Sequence, residues 1–517
     1  MNFSMFWPRL NRKDSSKKDS VDSEHLSYDL FYQLSYMSSI AAAGISRSQI
    51  FEFASQLPCS SSRYFKEIHL LATQMRYDYA VACRMVGESA EAESVKSLLL
   101  RLASSLSSGE KEADFLSQEA KVQAEAFKNE YERDVESLRK WTEAYAALII
   151  SAALIVMVAA ISMLIYAVAT SFTVTLVGVT VCVAAVGSWA IYRVAPKEVR
   201  VHPHSSKCAA YSKARWLARL LLPAAVACFF VTLLAGFGLG WALIMGSILI
   251  FPIGVAGVRF DRQIRKKDTD ISTFLRSLGN VASAVEITVS NALERLDQRS
   301  TANLAKDVGR LHARLDSRLK PEICWQRFSL ETGSETIYRS VKMFNDAARL
   351  GGDPQEVGER SSLVATTLDF LRAKRAQVSS SFTFLALGMH GAIVALLVFV
   401  VQVITLFAKV VEGVYTQSVA EAQTKAVEVF SFSFDSVRLL ETLTLPCILV
   451  MSVATAFAVK AADGGNNYKL FSYLAVTLGL SGMGLVIIPG LVDGIFSSIE
   501  MMSVSYTHLT LPTTPYV

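Results

Sequence analysis

Charge is scarce in this 517-residue sequence: 19% of its residues are Asp, Glu, Lys or Arg, against 52% hydrophobic. That balance is too apolar for a purely soluble protein of this length. Cysteine is sparse as well. Cys59, Cys83, Cys182, Cys208, Cys228, Cys324 and Cys447 are scattered without a CxxC spacing, three of them inside apolar runs, so neither a disulfide framework nor a zinc site is expected. No glycine-rich loop ends in Lys and Ser/Thr, which removes the usual phosphate cradle of nucleotide hydrolases; the nearest string, 352–361, has the wrong glycine spacing and no lysine. The first two dozen residues, with Arg12, Lys13, Asp14, Lys17 and Lys18, lack the apolar core and small-residue cleavage site of a signal peptide, so the N-terminus is expected in the cytoplasm.

Ionisable groups are also missing from the interiors of the long apolar segments, except His390 and, near the outer end of the last, Asp493. A transporter or pump should pair such groups within the membrane, and an intramembrane aspartyl protease needs two aspartates. His390 reads as a packed or hydrogen-bonded side chain rather than a proton relay. His202 and His204 with Cys208 could hold a metal, but that spacing is common by chance in a basic loop. The expectation is a protein that is no enzyme, with no catalytic, cofactor-binding or metal-ligating residues and no cofactor.

What is present is a set of seven apolar runs, each near the ~20 residues that cross a bilayer. They are Ala144–Ala169, Phe172–Tyr192, Leu220–Gly236, Leu239–Val258, Phe382–Phe407, Leu439–Val459 and Leu470–Phe496. Between the second and third lie Arg193, Lys197, Arg200, Lys207, Lys213, Arg215 and Arg219 against the single acid Glu198, a positive-inside signal that orients the chain. The predicted fold class is an all-α polytopic membrane protein with about seven transmembrane helices and two cytoplasmic helical-bundle domains in tandem repeat. The division runs: polar tail 1–23, first helical domain 24–143, hairpin 144–192, basic loop 193–219, hairpin 220–258 and second helical domain 259–380. Span five (381–407), an external segment (408–438), spans six and seven (439–497) and a tail (498–517) complete it. Residues 506–517, Thr- and Pro-rich, look like a non-native scar.

The helical domains are punctuated by turn signals. Leu26, Leu30, Phe31, Leu34 and Met37 form a stripe ending at Gly44; Ser46 can cap the next helix, and Gly87 and Gly109 close two later ones. Gly351 and Gly352 form a turn before Asp353, Pro354 and Glu356, an N-cap acid, a proline at N1 and an acid at N3. The structural turns singled out are Gly44, Gly109, Gly352 and Asp353. The two blocks match weakly at an offset of about 243 residues, Phe31 falling on Phe274, as one unit used twice would. Residues 24–143 hold 13 Lys/Arg against 18 Asp/Glu, and residues 259–375 hold 21 against 16. Opposite charge would favour association of the blocks or a partner reading both; unequal charge on solvated helix faces explains it equally well. Arg310, Arg314 and Arg318, spaced to share one helix face, are the candidate docking site for a partner.

This arrangement of helical block, span hairpins, second block and terminal spans resembles the platform proteins of type II secretion and type IV pilus machines, most closely the archaeal branch that assembles archaella and archaeal pili. The likeness is carried by Phe31, Tyr32, Gln33, Leu34, Ser35 and Tyr36, by Ala43, Gly44 and Ile45, and by the run Leu98 to Ala103. Ser108, Gly109 and Glu110, then Glu130, Tyr131 and Glu132, and Gly351, Gly352, Asp353 and Pro354 add to it, so that it extends from Asp29 to Phe496. It implies a multi-pass protein of the cell membrane that couples a hexameric secretion ATPase to insertion of pilin or archaellin subunits, among membrane lipids, as a homodimer and without nucleic acid. The second block departs from the pattern, with Glu286 and Ile287 where the first has Gly44 and Ile45. A small-solute transporter with regulatory cytoplasmic domains is the alternative.

Overall fold

The computed structural model describes residues 26–162, 170–202, 209–286, 288–296, 302–420 and 434–504. Among them the chain is helical, with no strand beyond an isolated bridge between Val201 and Ser334. It divides into two compact units. Unit one is Met1–Glu136, Pro196–Ser212 and Arg259–Arg375; unit two is Ser137–Ala195, Lys213–Val258 and Ala376–Val517. The two helical blocks of the sequence therefore lie in a single unit.

Unit one opens with α1 (Leu26–Ala41), α2 (Arg47–Ser55), α3 (Ser62–Gln74), α4 (Tyr79–Ser89), α5 (Glu93–Ser108) and the start of α6 (Glu112–Ser162). Ser46 and Gln49 make a reciprocal capping box on α2, and Asp78 caps α4 by accepting from the Ala80 amide at 3.2 Å. The stripe expected on α1 understates its burial: every side chain from Asp29 to Ala41 is buried, so this helix is enclosed on all faces. Gly87 does not close a helix. It lies inside α4, where an added Cβ would come within 3.1 Å of the Leu99 Cβ, so it lets α4 and α5 press together.

The chain continues through α7 (Thr170–Val194) and α8 (Ala209–Leu234) to α9 (Leu239–Ala284), whose latter half belongs to unit one. There follow α10 (Val289–Ala292), a 3-10 turn at Leu293–Arg295, α11 (Ala305–Asp316), α12 (Pro321–Thr332), α13 (Glu335–Arg349) and the start of α14 (Pro354–Ala420). Backbone geometry makes the repeat visible. Gly44 (φ 71°) pairs with Glu286 (φ 51°), Arg76 (φ 58°) with Arg318 (φ 54°) and Gly109 (φ 77°) with Gly351 (φ 94°), each pair 242 residues apart, one fewer than the sequence match suggests, so that Phe274 corresponds to Tyr32 rather than Phe31. These three pairs are left-handed turns, a conformation that L side chains adopt at a cost of roughly 1–2 kcal/mol. The same offset carries Ser46 onto Thr288, each the N-cap of its helix, and the first residue of α6 onto that of α14.

Unit two holds the apolar stretches of seven helices long and apolar enough to cross a membrane, among the described residues. The chain is a multi-pass membrane protein. Two of these helices are α15 (Phe434–Asp463) and α16 (Lys469–Val504), joined by a turn in which Gly464 and Gly465 both have φ 71°. In the core, Tyr145 meets Phe382 edge-on at 6.1 Å beside Ile149, Ala184, Met451 and Ala458. His390 is buried and hydrogen-bonded, its Nε2 lying 2.9 Å from the Ser481 hydroxyl and 3.3 Å from that of Ser452, so one polar node ties α14, α15 and α16. Gly254 admits α16 to backbone contact, because a Cβ there would sit 2.2 Å from the Ser472 nitrogen. Gly254→Ala should accordingly lower the thermal midpoint of the detergent-solubilised chain, at a cost of about 1–3 kcal/mol. Gly246→Ala, on the same helix with no atom within 4 Å of the new Cβ, should leave it unchanged; equal effects would refute the close packing.

Candidate functional site

The most concentrated chemistry in unit one is a network of buried ions where the two blocks meet. Asp29 of α1 receives the Ser60 amide at 2.8 Å and the Arg339 guanidinium of α13 at 2.8 Å. Arg339 also donates to Glu335 at 2.8 Å and lies over the rings of Tyr28 and Tyr32, 4.7 and 5.0 Å from their centroids. The second Glu335 oxygen lies 2.7 Å from His202 Nδ1, and the His202 ring stacks on Tyr338. The adjacent Ser334 donates to Asp268 of α9, whose other oxygen accepts from Arg372 of α14 at 2.7 Å. Arg372 also donates to Glu198, which accepts from Arg200 at 3.2 Å.

Residues 196–202 strap this network. The His202 amide donates to the Gly333 carbonyl, the Glu335 amide donates to the Arg200 carbonyl, and Arg375 donates to the Pro196 carbonyl. Lys374 of α14 pairs with Glu132 of α6 at 2.6 Å, and the Tyr131 hydroxyl donates to Glu198 at 3.5 Å. Thus α6, α9 and α14 are tied together in unit one by charged side chains near the points where their residues pass into unit two. A cavity of about 130 Å³, lined among others by Tyr28, Asp29, Tyr131, Glu198, Arg339 and Arg372, adjoins the ions.

The two central carboxyls respond oppositely to this setting. Burial alone would raise the Glu198 carboxyl, but the Arg372, Arg200 and Arg375 guanidiniums outweigh it and hold it down at about 2. Burial pushes the Asp268 carboxyl up to about 6, against the pull of Arg372 and the Ser334 hydroxyl. The arrangement can fix geometry and hold a proton on Asp268.

The structure separates the candidate docking arginines. Arg310 pairs with Asp307 and, at 3.6 Å, with Glu331; Arg314 pairs with Glu331 at 2.6 Å. The three do not share a helix face, since α11 ends at Asp316 and Arg318 stands beyond it in the left-handed turn. Gly44 and Gly109 make left-handed turns as expected, while Gly351 rather than Gly352 has the positive φ. Gly352 instead lies where a Cβ would meet Val357 and the Ala347 carbonyl, and the Asp353 carboxylate accepts from the Gln355 amide at 3.3 Å. His204 and Cys208 lie outside the described residues, as do Ile287 and residues 506–517. Sequence reasoning passed over Asp29, Asp268, Glu335, Arg339 and Arg372; Glu198, the lone acid among seven bases, was the one available signal.

The sequence is similar to flagella accessory protein J of Methanocaldococcus jannaschii, 23% identical over 429 residues, covering 80% of this chain and 74% of that protein. It is similar to the flagella accessory protein J of Methanococcus voltae too, 23% identical over 454 residues, 82% of this chain and 77% of the relative. These homologues support an archaellum-associated family. No family model matches the sequence, and no solved structure does.

The Asp268 carboxyl takes up a proton in the folded chain at higher pH than in the unfolded one. Its contribution to stability is therefore greatest below its ordinary value of 3.8 and is lost as pH rises through about 6. The window for Glu198 lies lower, below 4.5. As pH falls from 7 to 5, the chain should gain about 1 kcal/mol of stability relative to its Asp268→Asn variant. Thermal midpoints of both in one detergent at each pH check this; parallel profiles would contradict it.

Proposed function

We propose that the chain is the membrane platform of a type IV pilus-like machine of the archaellum, archaeal pilus or type II secretion kind. In this reading unit one faces the cytoplasm and takes work from a hexameric secretion ATPase. Unit two delivers that work to pilin or archaellin subunits entering the filament, and the chain acts as a homodimer without catalysis of its own. The observation that carries the reading is that α6, α9 and α14 each run unbroken from unit one into unit two while charged side chains clamp them to one another inside unit one. Unbroken helices bend less readily than loops, so displacement of the clamped ends reaches the apolar segments. The likeness to flagella accessory protein J supports the filament side of the proposal.

Ser137→Pro tests the coupling directly, because it interrupts α6 at the first residue of unit two and a proline inside a helix costs about 3 kcal/mol. Filament assembly should fall by at least about tenfold, the effect of 1.4 kcal/mol, while the ATPase still copurifies. Normal filaments would sink the proposal, and substrate-dependent ion flux in liposomes would replace it with a transporter. A cysteine in place of exposed Ser317, in a cysteine-free chain, should react with an impermeant thiol reagent only after cells are opened. Labelling of intact cells would reverse the orientation.

A further inference from the structure

The two halves of unit one share their turns but not their surfaces. At the 242-residue offset, Gly87 of α4 corresponds to Ser329 of α12, Cys83 to Trp325, Leu102 to Phe344 and Ala103 to Asn345. In the first half, glycine and small side chains bring α4 against α5. In the second, the indole of Trp325 occupies the position of a thiol, and α12 and α13 carry two adjoining hollows with Glu322, Trp325, Asn345 and Arg349 in the walls of both. Trp325, Phe344 and Val341 are themselves buried, so the accessible apolar wall is that of the first hollow, where exposed Pro321 and half-buried Val289 and Ala348 stand; the second is lined mainly by polar groups.

The rim is polar and carries positive charge. Glu322 is taken by Arg349, and Asp346 accepts from the Tyr36 hydroxyl at 2.9 Å with Lys342 at 3.6 Å, so the acids there are engaged. Lys320, on the wall of one hollow, is exposed and has no carboxylate partner among the described residues. The half-buried Asn345 amide, midway along, has no hydrogen-bond partner among them either, and an amide can both donate to and accept from a peptide backbone. Apolar wall, free amide and cationic rim together suit one kind of occupant.

We propose that the groove between α12 and α13 is the docking site for an acidic amphipathic segment of a partner protein, seated with an aliphatic or aromatic side chain against Pro321 and Ala348 and its carboxylates toward Lys320. This rests on the reading of unit one as the part that receives a partner, and it moves the contact from the Arg310, Arg314 and Arg318 trio, two of whose members are neutralised, to the groove.

The test places a photo-reactive benzoylphenylalanine at Asn345 of the full chain in its native cells and, as a control, at exposed Arg84. Crosslinked peptides are identified by mass spectrometry, and the matching synthetic peptide is titrated against the chain in nanodiscs by fluorescence anisotropy. Because Trp325→Ala removes a buried side chain and could unfold the unit, Lys320→Glu on the exposed rim is the deciding variant. An acidic peptide captured at 345 and not at 84, bound about fivefold more weakly by Lys320→Glu and weakened further by salt, is the expected result. Crosslinks only to the chain itself or to lipid, a neutral or basic peptide, or affinity indifferent to Lys320→Glu would overturn the groove assignment. An acidic peptide from a protein other than an ATPase would leave the groove assigned and refute the ATPase as its occupant. An ATPase that copurifies undiminished with Lys320→Glu would do the reverse.

Discussion

A guanidinium withdrawn from water must keep its partners, and among its described residues unit one buries three: Arg375, which donates to the Pro196 carbonyl, and Arg339 and Arg372, which are held by carboxylates. Arg339 and Arg372 are 8% and 5% exposed, and each is held by two acids. Removing one partner from a buried pair costs roughly 3–5 kcal/mol, a large part of the ~5–15 kcal/mol that stabilises a typical fold. The positions of α1, α9, α13, α14 and the 196–202 strap are therefore mutually dependent. Asp29 cannot leave Arg339 without exposing a charge to Tyr28 and Tyr32, and Glu198 cannot leave without stranding Arg372 beside Asp268. Such a cluster adds less to stability than apolar packing of the same volume could, but it penalises partial rearrangement.

The spans were legible because the bilayer imposes a length and a hydropathy that few other constraints mimic. The turns were legible for a local reason: Gly44, Gly109, Ser46 and Asp353 act through their own backbone neighbourhood. The ion network was not. Asp29 lies in an otherwise apolar stripe and Arg339 in a helix with ordinary charges around it. Their burial depends on residues up to 310 positions away in sequence, which periodicity does not register. The same limit explains the arginine trio, because a spacing of four implies a shared face only while the helix lasts, and α11 ends two residues before Arg318.

Repetition with divergence explains why the sequence match between the halves is faint. A left-handed turn at Glu286 carries a steric cost that Gly44 avoids, yet the turn is kept. Local propensity does not account for that backbone. The turns recur while the side chains differ, as on α12, where Trp325 stands in place of Cys83.

Stiffness and selectivity occupy different parts of unit one. Glu132 lies one helical turn before Glu136, the last residue of α6 in this unit, and Arg372 one turn before Arg375, the last of α14. Asp268 lies within three turns of Arg259, where α9 enters it. The three helices are thus bound to one another close to where each changes unit, so a force on any of them is shared by all three before it reaches an apolar segment. The groove lies farther along the chain from those points, on α12 and α13, short helices confined to unit one. A partner seated there acts on the clamp through α13 itself, since Arg339 of the network and Asn345 of the groove are less than two turns apart on that helix.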